Sequence, residues 1–340
     1  MDPALLVCLA GAFAATLLVI PKWIRKASAM GLAGADMNKP KKPMVPEAGG
    51  VAVIAGTAFG LLLYVFLNTF YFDASAGFVV QVFAVLSTVL LAGFIGFIDD
   101  ILGWKSGMSN STKVLSTIPI AIPLAVANAG IGGMMIPLIG HVEFGIVFPM
   151  LIVPLGIIGA ANGYNMLAGY NGLEAGMGVI ILGTMAAVAW LSGSAWVSMI
   201  ALCMAFPLVA FLLFNRPPAR IFPGDSLTYP VGAMIACVAI LGNMERLALL
   251  LFIPYFFDMA MFVRFRFVEG KRKVEAFAKV NPDGSLGMPH EKIYDFTHLA
   301  IRLAGMAKAK VYERDVVLTV LGIEALIALA SFAAWLAGGF

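Results

Sequence analysis

Apolar runs long enough to cross a bilayer recur along this chain, and the charged residues are largely confined to the connections between them. A spanning helix needs about 20 mainly apolar residues. Ten segments meet or approach that length: 3–21, 49–70, 78–98, 114–129, 145–162, 174–191, 195–214, 226–242, 246–263 and 314–338. Only 12% of the 340 residues are charged and 61% are hydrophobic, whereas soluble domains carry about 25% charged residues. The expected fold is an all-α polytopic membrane protein, one integral domain over 1–340. Cys8, Cys203 and Cys237 lie in apolar segments, so no disulfide framework is indicated. The first apolar run has no clear cleavage site and reads as a span.

Ten crossings divide the connections into two sets. All of the 22 Lys and Arg except Arg246 fall in one of them: 22–48, 99–113, 163–173, 215–225, and 264–313 with Arg314. Cytoplasmic loops carry the Lys/Arg excess. This set is therefore expected in the cytoplasm, with both termini outside. The long insertion at 265–313 contains an Asn-Pro-Asp-Gly turn signal at 281–284. It predicts a small β-hairpin followed by an amphipathic helix near 291–310.

The loop polar residues gather on that same side. A secondary transporter would place them near the bilayer midplane, so the clustering disfavours that reading. It favours an enzyme that takes a water-soluble substrate from the cytoplasm, with a lipid as second substrate. Asp99 and Asp100 end the third span, and Asp225 precedes the eighth. Mg²⁺ is usually held by one or two carboxylates plus substrate phosphates. The alternative is that the pair caps a helix or meets Lys105 or Lys113.

Three further stretches carry polar chemistry. "NGYNMLAGYNGLEAG", 162–176, combines three Asn with four Gly. An amide oxygen can ligate a hard cation or read a base edge. An ordinary Gly/Asn-rich turn is the plainer alternative. "FNRPPARIFPGDS", 214–226, joins two Arg to Gly224-Asp225, and Arg suits phosphate; a positive anchor is the alternative. "EGKRKVEAF", 269–277, suits a diphosphate or anionic lipid headgroups. His141, His290 and His298 lack zinc-ligand spacing. Together these pieces point to phosphoryl transfer at a membrane surface.

Four blocks in order, "KPKKPMVPEAGGVAV", "GFIDD", "NGYNMLAGYNGLEAG" and "PARIFPGDS", resemble the polyprenyl-phosphate N-acetylhexosamine-1-phosphate transferases. Bacterial members, including the MurNAc-pentapeptide enzymes, read N-x-x-N-x-x-D-G-x-D-G in the third block. Ala168 and Asn171 replace those two Asp here. That pattern is similar to the eukaryotic UDP-GlcNAc:dolichyl-phosphate branch, as is "YERDVVLTVL" before the last span. The resemblance implies ten membrane helices and a cytoplasmic, Mg²⁺-dependent site, with Mn²⁺ as a possible substitute. The substrates implied are UDP-GlcNAc and a polyprenyl or dolichyl phosphate, with GlcNAc-1-phosphate transferred and UMP released. Another UDP-N-acetylhexosamine is the alternative donor.

Residue by residue, the resemblance implies Asp225 and Asn165 as Mg²⁺ ligands, with Asp99 and Asp100 beside the metal and the lipid phosphate. Asn171 would contact uracil, and Gly169 and Phe222 would line the nucleoside pocket. Glu47 and Lys113 would edge the site, and Arg220 would approach phosphate. Lys271, Arg272 and Lys273 loosely match an arginine-rich stretch expected at pyrophosphate. Further expectations are tunicamycin sensitivity, a homodimer, no nucleic-acid partner, and an archaeal plasma membrane, or the ER membrane if eukaryotic.

Overall fold

The computed structural model describes residues 3–71, 77–103, 110–127, 132–136, 140–271 and 274–338. It is mostly helical. Helices α1 (Pro3–Met30) and α2 (Gly50–Phe70) are joined through a short antiparallel ribbon of β1 (Ala33–Ala35) and β2 (Met44–Pro46). Helix α3 (Val79–Gly103) carries Asp99 and Asp100 in its last turns. The next apolar segment is interrupted: α4 (Asn110–Ser116), a 3₁₀ turn at Ile118–Ala121, then α5 (Ile122–Val126). Pro119 and Pro123 lack the N–H that would continue one helix, which explains the break. A second ribbon, β3 (Gly133–Ile136) on β4 (Gly140–Glu143), leads to a π-helical turn at Phe148–Ile152 and α6 (Val153–Tyr164).

Helices α7 (Leu173–Leu191), α8 (Ala195–Asn215) and α9 (Asp225–Leu241) follow. Then come α10 (Glu245–Leu251) and α11 (Ile253–Val263), continued by a π-helical turn at Arg264–Val268. The predicted hairpin is present as β5 (Lys279–Val280) paired with β6 (Leu286–Gly287). The predicted amphipathic helix is α12 (Phe296–Ala307), and α13 (Glu313–Leu336) closes the chain. Asp295 caps α12 by accepting from the Thr297 N–H, and Asp258 of α11 accepts the Phe296 N–H at 2.5 Å. These bonds seat the insertion against the bundle.

Among the described residues, six helices are long and apolar enough to cross a membrane. The pair 245–251 and 253–268, bent by 61°, makes a seventh if it is one crossing. By length, then, the expected ten is reached at six or seven positions. The segments 112–126, 148–164 and 225–241 are shorter apolar helices. Helix α9 is central: every residue from Ser226 to Ile240 is buried. Small residues let its neighbours approach. A Cβ on Gly50 of α2 would lie 2.2 Å from the Leu227 nitrogen, and one on Gly232 would lie 2.3 Å from the Ala160 carbonyl oxygen of α6. The three cysteines are free and buried.

Candidate active site

The first turn of α9 organises the site. Gly224 precedes it at φ +70°, a left-handed backbone value suited to glycine. A Cβ there would also fall 2.3 Å from an Asp100 carboxylate oxygen. Asp100 accepts hydrogen bonds from the backbone N–H groups of Asp225 at 2.6 Å and Ser226 at 3.1 Å. The opening N–H groups of a helix have no partner of their own and carry partial positive charge. Asp100 supplies that partner from another helix. The reading of this acid as a helix cap is therefore met, on α9 rather than on its own helix.

Asp99 has a different counterpart. It is 1% exposed, and the Lys113 ammonium lies 2.5 Å from its carboxylate and 2.8 Å from that of Asp225. Lys113 thus neutralises two acids drawn from two helices, and the alternative of a Lys113 partner is also met. Lys105 lies outside the described residues. Asn165, the C-terminal cap of α6, accepts from the Thr228 hydroxyl at 2.8 Å. Thr228 sits one turn beyond Asp225 on α9, so Asn165 and Asp225 border the same space.

That space is a cavity of about 280 Å³. Glu47, Asp100, Asn165, Gly169, Asn171, Phe222 and Asp225 all line it. The first and fourth sequence blocks are stitched together at its rim. The N–H groups of Gly49 and Gly50 donate to the carbonyls of Phe222 and Pro223, and the Phe222 N–H donates to Pro46. Burial and the nearby negative charge of Asp225 raise the Glu47 carboxyl above its ordinary range.

The loop after α6 is held from several sides. The Gly169 N–H donates to Glu174 at 2.7 Å, and the Asn38 amide donates to the Gly169 carbonyl at 3.0 Å. Glu313 accepts the Asn171 N–H at 2.9 Å. The Asn171 side-chain NH₂ donates to Asp36 at 2.9 Å and to Glu313 at 3.3 Å. Lys39 pairs with Glu313 and lies 3.5 Å from Asp36. Asp36, Glu174 and Glu313 were not singled out from sequence. The positional signal was weak, because Asp36 and Glu313 meet Asn171 across separations of 135 and 142 residues.

Four expected contacts are placed elsewhere or lie outside the described residues. Arg220 lines a neighbouring groove, with its guanidinium 5.0 Å from the Phe214 ring centroid. Lys271 donates to the Tyr294 hydroxyl at 2.6 Å and lies 3.5 Å from Glu269, apart from the cavity lining. Its charge is spent inside the insertion. Arg272 and Lys273 lie outside the described residues. The insertion instead reaches the cavity through Phe277, whose ring would be 3.0 Å from a Cβ on Gly169.

The donor set suits a hard cation. Asp225 and Asn165 offer a carboxylate and an amide oxygen to the same cavity. Among the described residues no three His, Cys, Asp or Glu side chains converge on one point. A Mg²⁺ held by these two residues would complete its shell with waters and phosphate oxygens.

Comparison with known proteins places the chain. The model for glycosyl transferase family 4 matches residues 82–243. A Saccharolobus solfataricus protein assigned as a UDP-N-acetylglucosamine–dolichyl-phosphate N-acetylglucosaminephosphotransferase is 35% identical over 311 residues, 90% of this chain and 89% of that one. Its Sulfolobus acidocaldarius counterpart is 34% identical over 315 residues, 92% and 90% of the two chains. A phospho-N-acetylmuramoyl-pentapeptide-transferase of Shouchella clausii is 28% identical over 218 residues, 62% and 65%. With the blocks that carry the resemblance meeting at one cavity, and relatives this similar along nearly its whole length, the chain belongs to glycosyl transferase family 4.

Proposed function

We propose that this chain transfers N-acetylglucosamine-1-phosphate from UDP-N-acetylglucosamine to a polyprenyl phosphate of the dolichyl type, forming the lipid diphosphosugar and UMP. The observation that carries this reading is the convergence of four distant blocks on one cavity. Glu47, Asp100, Asn165 with Asn171, and Phe222 with Asp225 represent those blocks. The archaeal relatives with that assignment support the donor and acceptor.

Asp225 and Asn165 would hold the Mg²⁺, or Mn²⁺ in its place. When bound, the cation neutralises charge on the donor diphosphate as it moves to the leaving UMP. Phe222 and Gly169 flank the nucleoside. The Asn171 NH₂ is committed to Asp36 and Glu313, which leaves its amide oxygen to accept from a uracil N–H. Lys113, held by Asp99 and Asp225, presents its ammonium to incoming phosphate. A phosphate monoester has its second pKa near about 6. The lipid phosphate is thus mostly dianionic at neutral pH, and Asp99 serves to place Lys113 rather than to remove a proton.

The same reading takes the bent pair and the three shorter apolar helices as crossings, ten in all, with both termini outside and the cavity opening to the cytoplasm. The near-complete confinement of Lys and Arg to one set of connections supports it. The test is glycolipid formation by the purified protein with Mg²⁺, dolichyl phosphate and a panel of UDP-sugars. UDP-N-acetylglucosamine is expected to give product. Product from UDP-MurNAc-pentapeptide and none from UDP-N-acetylglucosamine would overturn the branch.

A further inference from the structure

A second cavity, about 620 Å³, lies against the back of the active site. Asn171 lines both spaces, and Gly172 lines the second. Its walls are the last turn of α8 and the first turns of α13, with Leu212, Leu213, Val317, Leu318 and Leu321. Three arginines stand at its end: Arg216, the C-terminal cap of α8; Arg220 in the following loop; and Arg314 in the first turn of α13. All three are exposed. None forms an ion pair with a carboxylate among the described residues.

We propose that this groove binds an anionic membrane phospholipid. The guanidinium groups take its phosphodiester, and an acyl or isoprenoid chain lies along the leucine wall between α8 and α13. Charge and polarity are graded along the groove as they are along such a lipid. The arginines sit at the helix ends, and the apolar side chains follow one to two turns deeper. Leu213 and Leu318 are 48% and 55% exposed, which leaves apolar surface for a chain to cover. Arginine suits a phosphodiester because its planar donors match two oxygens at once. A free phosphate would gain nothing from the leucines, so the groove as a whole fits the amphiphile.

The position gives the lipid a route to the reaction. Arg314 follows Glu313, which holds Asn171, and the Gly172 N–H is fixed by Asn215 of α8 at 2.9 Å. An occupant that draws α8 and α13 together steadies both anchors of the uridine-side loop. This coupling rests on the function proposed above, whereas lipid binding does not.

The test is native mass spectrometry of the full chain released from detergent with phosphatidylglycerol or phosphatidylcholine. Phosphatidylglycerol is expected to be retained, and phosphatidylcholine is not. Arg216→Gln with Arg314→Gln should weaken retention at least about tenfold, the size of one lost charged hydrogen bond. Arg216→Lys with Arg314→Lys should keep part of it and serves as the control for folding. Equal retention in the Gln variant would overturn the proposal. So would displacement of phosphatidylglycerol by inorganic phosphate at equal concentration, which would make this a free-anion site. Failure of UDP-N-acetylglucosamine turnover alone would count against the proposed function and leave lipid retention as the readout here.

Discussion

Asp99 and Asp100 are adjacent in sequence yet have separate tasks. Asp100 is committed to backbone N–H groups of α9, and Asp99 to Lys113. Asp225 lines the same cavity as Asn165. Asp225→Asn keeps the shape and removes the charge. Metal-held transition-state charge is worth several kcal/mol, and each 1.36 kcal/mol is about tenfold in rate. Turnover is expected to fall at least about a hundredfold with normal membrane insertion, and added Mg²⁺ should rescue it poorly. Near wild-type turnover at ordinary Mg²⁺ would remove Asp225 from the metal site. Glu47 gives a pH signature. Its raised pKa means that the folded state holds the proton more tightly than the unfolded chain does. Its stabilising contribution is therefore full below the ordinary glutamate value and is lost as pH rises through the raised one. In metal-free buffer, the Tm of Glu47→Gln should gain on wild type across that window. A difference independent of pH would show that Glu47 does not titrate there.

At the scale of elements, α9 is the post on which α2, α3 and α6 close. A Cβ on Gly96 would lie 2.2 Å from the Asp225 carbonyl oxygen. Gly96→Ala should therefore push α3 from α9 and separate Asp100 from its N–H partners. Overpacking of this kind costs about 1–3 kcal/mol, so thermal unfolding should move down by several degrees and turnover should fall with it. An unchanged Tm would mean that α3 shifts freely. The insertion makes a second comparison. Phe277 touches the cavity, and Lys271 is spent on Glu269 and Tyr294. Phe277→Ala should raise KM for the nucleotide donor more than Lys271→Ala does. The reverse order would restore the basic run as the pyrophosphate contact. These elements also mark what the sequence carried. The hairpin and α12 were legible because a turn signal and an amphipathic period are local. The partners of Lys271 were not legible, because whether a lysine meets phosphate or a neighbouring glutamate depends on how the insertion folds back.

At the scale of the whole molecule, the apolar runs were enough to give a mostly helical membrane protein, and the four sequence blocks were enough to name residues that line one cavity. Asp36 and Glu313 were not legible as partners of Asn171, since only the closed bundle brings the two chain ends beside that loop. The fourth expected crossing was altered by Pro119 and Pro123, which break a run that hydropathy alone treats as continuous. The account rests on a transfer of sugar phosphate, not of sugar. The measurement that tests this most directly is the nucleotide released when purified protein turns over UDP-N-acetylglucosamine with dolichyl phosphate and Mg²⁺. The account expects UMP in equal amount to lipid diphosphosugar. Release of UDP with a lipid monophosphosugar would contradict it.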